Sequence, residues 1–154
     1  MKKGFFLLAA FVLFACNKNN ICKQFDRNFK DNRWFKTDVR TFEFTIENGD
    51  KNYDLLFDFS HVDGFQFNNV PVKMDLTNPD GSVTTENFLL KINDPEGHAL
   101  GDCGGDYCDI QQAVLEHTKL AAGKYKVSVS NGFKGGYLPN VLGLGIVVNL
   151  SKNQ

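Results

Sequence analysis

The chain has no surplus of charge of either sign: 17 Lys and Arg stand against 18 Asp and Glu, with only three His. Without a basic excess there is no electrostatic footprint for nucleic acid, and no nucleic-acid partner is expected. There is no apolar run of the ~20 residues a bilayer-spanning helix needs. There is no Cys-x₂-Cys pair of the kind that marks a strong zinc site. His61, His98 and His117 are scattered, and none has a Ser or Cys motif beside it that suggests an activated nucleophile. Asp58 with His61, and Glu116 with His117, are close in sequence but lack a third orienting group. The expectation is a protein that is not an enzyme and carries no cofactor.

What is present begins at the N-terminus. Lys2-Lys3, an apolar stretch from about Gly4 to Phe14, and Leu13-Phe14-Ala15-Cys16 have the flanks and length of a signal peptide rather than of a membrane span. The cysteine at the cleavage point distinguishes a bacterial lipoprotein signal from a plain secretory one. Its thiol would take a diacylglyceryl group, and cleavage after Ala15 would leave Cys16 as the acylated first residue. At about 0.8 kcal/mol per buried CH₂, two or three acyl chains anchor stably where one is marginal. The division expected is therefore 1–15 signal peptide, 16–22 lipidated N-terminus and tether, and 23–154 one domain. The mature chain has 15 basic residues (17 less Lys2 and Lys3) against 18 acidic ones. No acidic run follows Cys16, which favours the periplasmic face of the outer membrane over the cell surface.

Three cysteines remain. Cys103 and Cys108 bracket Gly104-Gly105-Asp106-Tyr107, and in an oxidising envelope a small-loop disulfide is the natural reading. Cys22 is then odd, either a free thiol in the tether or a competitor for one of the pair. The stretch Asp94 to Asp109 is the densest in polar and reactive groups. Its spacing does not match a calcium loop. Zinc on His98, Cys103 and Cys108 lacks a clear fourth ligand. A glycine-rich turn with left-handed glycines and solvated carboxylates is the expectation, with no metal. Asn149-Leu150-Ser151 spells a glycosylation sequon that carries no meaning in a bacterial envelope protein.

Downstream the apolar period is two. Phe42, Phe44 and Ile46 alternate with polar residues, and Tyr53 to Phe59 follows after the Asn48-Gly49-Asp50 turn. Val72, Met74 and Leu76 alternate again before Pro79-Asp80-Gly81-Ser82, where Pro presets φ and Gly tolerates a positive one. Further strands are predicted at about 83–92, 109–115, 124–130 and 142–150, with one helical turn from Leu115 to Ala122. The fold class is all-β, an antiparallel β-sandwich or jelly-roll-like single domain. Residues 23–36 interleave cations and aromatics, and the aromatics are expected to pack on the domain edge.

Several of these residues together resemble the GldH family of gliding-motility lipoproteins of Bacteroidetes. Phe65, Phe67, Asn69 and Val70 fit its aromatic-x-aromatic-x-Asn-aliphatic motif. Asp94, Gly97, Gly101, Gly105 and Asp106 fit its D-x-x-G-x-x-x-G-x-x-x-G-D loop, and Leu138, Pro139, Gly145 and Ile146 fit its closing pattern. Ala99 stands where the family usually has Trp, and Cys103 where it usually has Gly. The resemblance implies an outer-membrane lipoprotein acting through envelope proteins of the motility and type IX secretion machinery. Its candidate contact residues are Asp94, Gly97, Gly101, Gly105, Asp106 and Tyr137. The alternative is a lipid-anchored carbohydrate- or ligand-binding sandwich, which would need exposed aromatics in a groove, with Trp34, Tyr107 and Tyr137 available.

Overall fold

The computed structural model describes residues 19–152. The expected signal peptide and the expected lipidation site Cys16 lie outside the described residues. Alternating burial builds two antiparallel sheets. The first has the order β1 (Asn20–Asp26), β11 (Val141–Leu150), β4 (Asn52–Val62), β8 (Tyr107–Lys119) and β7 (Asp102–Gly104). The second has the order β3 (Arg40–Ile46), β9 (Gly123–Asn131), β5 (Asn69–Thr77) and β6 (Val83–Lys91). A two-stranded ribbon, β2 (Trp34–Phe35) with β10 (Tyr137–Leu138), closes one end. Among the described residues no helix is long and apolar enough to cross a membrane.

The core lies between the sheets. Leu55, Phe57 and Phe59 of β4 and Leu144, Ile146 and Val148 of β11 meet Phe42, Phe44, Val72, Met74, Tyr125 and Val127 of the facing sheet. Phe44 and Tyr125 stack with ring centroids 5.0 Å apart. The odd residues of β4 turn inward because successive strand side chains point to opposite faces, which is the period legible in its sequence.

Both seams between the sheets are closed by a glutamine. Gln24 of β1 donates to the Glu43 carbonyl of β3 at 2.7 Å. On the opposite side Gln112 of β8 donates to the Leu89 carbonyl and accepts from the Lys91 amide of β6, at 3.1 and 3.0 Å. Each side-chain amide takes a partner on a strand edge that would otherwise be open to another chain.

Two expectations are corrected. The helical turn at Leu115 to Ala122 is absent, because β8 runs on to Lys119 and partners the first half of β4 through register shifts. His117 takes a positive φ of 47° there, and its amide donates to Asp54 Oδ1 at 2.8 Å. The expected tether ends earlier than residue 22. Asn20 and Cys22 pair with Asn149 and Val148 in β1, and Cys22 packs half-buried against the core. Its thiol is pushed up by burial, partly offset by a hydrogen bond from Gln24.

Candidate functional site

The strand directions give the sandwich two poles. The chain enters at Asn19–Asn20 beside Leu150, and this proximal pole carries the turns around residues 47–51, 78–82 and 120–122. The distal pole carries the connections 27–39, 63–68, 92–106 and 132–140. Every candidate contact residue falls on the distal pole.

The plug of that pole is Trp34. Its indole is wholly buried, meets Phe29 edge-on at 6.3 Å, and donates from Nε1 to the Asp38 carbonyl at 2.8 Å. Buried Asn131 clasps the ribbon, donating from Nδ2 to the carbonyls of Trp34 and Phe35 at 3.1 and 3.2 Å. Beside it Arg40 lies over the Phe29 ring at 4.3 Å and donates to Asp26 Oδ2 and the Asn28 carbonyl, each at 2.8 Å, and to Asp38. The aromatics of 23–36 thus do not all sit on an edge. Trp34 is a core residue, and its burial removes it from the exposed-aromatic groove that a carbohydrate-binding reading needs. Tyr107 and Tyr137 are exposed, at 48% and 38%, but Tyr137 packs on Phe35 at 5.7 Å and lies under the Arg33 guanidinium.

The 92–106 connection starts from core residue Ile92 and is then held mainly by hydrogen bonds. The amides of Ile92 and Asn93 donate to the Asn68 carbonyl, and Leu100 donates to the Ile92 carbonyl. Asp94 is not merely solvated: its carboxylate accepts the His98 amide at 2.8 Å and faces His98 Nδ1 at 3.0 Å. The His98 amide, chiefly, holds the Asp94 carboxyl below the usual carboxylate range. Gly97 and Gly105 take positive φ values of 89° and 65°, whereas Gly101 does not. A side chain at Gly101 would meet Ile110 Cγ1 at 2.7 Å and the Asp109 carbonyl at 2.8 Å, so it marks a close approach to β8. The Asp106 carbonyl accepts the Asp63 amide at 2.9 Å, tying the hairpin tip to the end of β4.

Cys103 and Cys108 face each other across β7 and β8 and are joined, with S–S 2.02 Å. Cys22 is free. The group of Asp63, Cys103 and Cys108 brings three ligand-type atoms within 4.8 Å. Both sulfurs are consumed by their bond, and the 3.6 Å approach of Cys108 Sγ to Asp63 Oδ1 has no thiol proton in it. His98, the third member of the zinc set weighed from the sequence, is held by Asp94 instead. Buried His61 contacts the Val62 carbonyl through Nδ1 at 2.8 Å and packs on Phe65 at 4.8 Å. No nucleophile is placed against it among these contacts.

The sequence model of the family described as GldH lipoprotein matches residues 22–148. The chain belongs to the GldH lipoprotein family. The chain is 27% identical over 142 residues to a protein of Flavobacterium johnsoniae named gliding motility lipoprotein GldH, covering 90% of this chain and 86% of that one. It is 24% identical over 132 residues to a GldH homolog of Christiangramia forsetii, covering 84% and 80%. A dimeric latent PorU from Porphyromonas gingivalis superposes with a TM-score of 0.33 at 10% identity, over 86% of this chain and 13% of that one, too loosely to carry an argument. The GldH motifs read mostly as architecture. Phe65, Val70, Leu138 and Ile146 are buried, and Gly145 makes room for β1. Asp94, Gly97, Gly101 and Gly105 shape the distal loop. The family is named for a lipoprotein and not for a reaction.

Proposed function

We propose that this chain is an acylated outer-membrane lipoprotein, facing the periplasm, that works in gliding motility through protein contacts and not through catalysis. The observation that carries this reading is the segregation of long, hydrogen-bonded connections to the pole opposite the chain's entry. With acyl chains on Cys16, the four residues to Asn20 reach at most about 14 Å. The proximal turns then lie close to the lipid. The distal loops stand a strand length away, about 36 Å for an 11-residue strand. The lipid supplies location, and the sandwich holds the distal loops out as a rigid face toward the motility and type IX secretion machinery.

The test is a deletion strain complemented with single photo-cross-linking residues at Tyr137, Gly105 or Asp80. Deletion is expected to abolish colony spreading, and Cys16→Ser to release the protein from membranes. Tyr137 and Gly105 are expected to capture motility or secretion components while Asp80 does not. Normal spreading of the deletion strain, or equal capture from both poles, overturns the reading.

A further inference from the structure

The outer face of the first sheet carries a groove that runs up to the distal pole at Arg27 and Asp109 but includes none of the candidate contact residues. Register lays three rows across it: Lys23–Val147–Leu56–Ala113, Phe25–Gly145–Asp58–Gln111, and Arg27 beside Gly143–Ser60–Asp109. Two glycines of β11 lower its centre. Phe25 lies across them so closely that a side chain at Gly143 would come within 2.2 Å of the ring, and one at Gly145 within 2.1 Å of the Gln24 carbonyl. The result is a cavity of about 290 Å³ lined by Lys23, Phe25, Arg27, Asp58, Asp109 and Gln111. That is the small end of ligand pockets, which run about 300–1,000 Å³.

Its charges are segregated and unpaired. Lys23 and Arg27 form one rim, Asp58 and Asp109 the other, and none of them enters an ion pair among the described residues. Gln111 Nε2 donates to Asp58 Oδ1 at 2.7 Å and fixes that carboxylate on the opposite wall. The outer face of the second sheet is different: there Lys73 pairs with Asp75 and Lys124 with Glu43, each at 2.7 Å. In the third row Ser60 is fully buried and its hydroxyl has no partner. A buried hydroxyl without a hydrogen bond is uncommon, and this one stands two residues from Asp58 on the same strand.

We propose that this groove binds a short zwitterionic peptide, its carboxylate at Lys23 and Arg27 and its ammonium at Asp58 and Asp109. The two rims fit that length. From β1 to Asp58 on β4 is two ladder steps of about 4.8 Å, close to 10 Å, which an extended tripeptide spans at about 3.3–3.6 Å per residue; Asp109 on β8 stands one step further and lends its charge from beyond the ammonium. A neutral saccharide fits less well. The Arg27 guanidinium lies 4.9 Å from the Phe25 ring centroid and occupies the aromatic face a sugar would stack on.

The test is an amide NMR titration of the full-length protein in detergent with trialanine bearing free termini. N-acetyl-trialanine amide and cellotriose serve as comparison probes. Saturable shifts are expected at Lys23, Asp58 and Gln111, absent or at least roughly fivefold weaker for the blocked peptide. Lys23→Gln and Asp109→Asn remove exposed charges and leave the core untouched. Each is expected to weaken binding roughly fivefold with an unchanged melting temperature. No saturable shift, equal affinity for the blocked peptide, or stronger shifts from cellotriose overturns the proposal. So does binding that both variants leave unaltered.

Discussion

The two poles of the sandwich solve the same problem in different ways. At the proximal pole the strands are joined by short turns, of which Asn78–Ser82 is typical: the Ser82 amide and hydroxyl donate to Asp80 Oδ1, and the Gly81 amide donates to the Asn78 carbonyl. At the distal pole long connections are held by a buried Trp34, a buried Asn131, an Arg40 network and a disulfide. Turns that need only local hydrogen bonds suit a surface held beside something else. Loops that need a core of their own suit a surface kept in one shape. On the proposed function, the difference separates a joining end from a presenting end.

The comparison breaks most readily at Trp34. Trp34→Ala empties a wholly buried site and leaves the Asp38 carbonyl without its donor. It is expected to cost about 3–5 kcal/mol of unfolding free energy in a denaturant titration. An effect below 1 kcal/mol would mean that the distal loops do not depend on their plug. The paired change Cys103→Ser/Cys108→Ser comes next. Opening a loop closed at a sequence separation of 5 is expected to cost about 2 kcal/mol in the chain-entropy account. Hydrogen exchange should quicken at 102–109 and stay unchanged at 120–123. Uniform quickening would show that the hairpin supports the whole sandwich.

A matched pair sharpens the comparison further. Gly81 and Gly97 have positive φ values of 84° and 89°, and neither has an atom within 4 Å of where a side chain would begin. Gly81→Ala and Gly97→Ala are therefore each expected to cost about 1–2 kcal/mol from backbone strain alone. A much larger loss at Gly97, read by thermal melting, would mean that the distal loop transmits its strain. The smallest effect is in acid. Asp80 and Asp94 both titrate below their usual 3.8, held chiefly by Ser82 and His98. Since folding lowers these values, the stabilisation is complete above that pH and is lost as pH falls through the lowered ones. Carbon-detected titration should find both carboxyls shifted downward. A shift at Asp80 without one at Asp94 would set the two turns apart.

The central strands were legible because each buries one face: Phe42, Phe44 and Ile46, or Val72, Met74 and Leu76, can only point one way. β1 was hidden for the opposite reason. Its inward positions are Cys22, Gln24 and Asp26, polar residues that serve a sheet edge and an arginine, so residues 20–22 read as tether and 23–26 as an edge segment. β2, β7 and β10 are too short to show a period. Leu115 to Ala122 misled because register shifts against β4 interrupt the alternation. Among the candidate contact residues, a positive φ was foreseeable at Gly97 and Gly105. Gly101 was not separable from them, since its need is room beside Ile110. The groove on the outer face was invisible, because Lys23, Asp58 and Asp109 meet only through the pairing of four strands.

The pairing of β1 with β11 has a mechanical side. Asn20, where β1 begins, is its proximal end, and the strand then runs toward the distal pole antiparallel to β11. A pull on the N-terminus away from the distal loops acts along the length of β1. The ladder bonds to β11, perpendicular to that pull, are loaded together in shear rather than peeled one after another. A tethered domain with its leash on such a strand can bear tension between its two ends without unravelling from the leash inward.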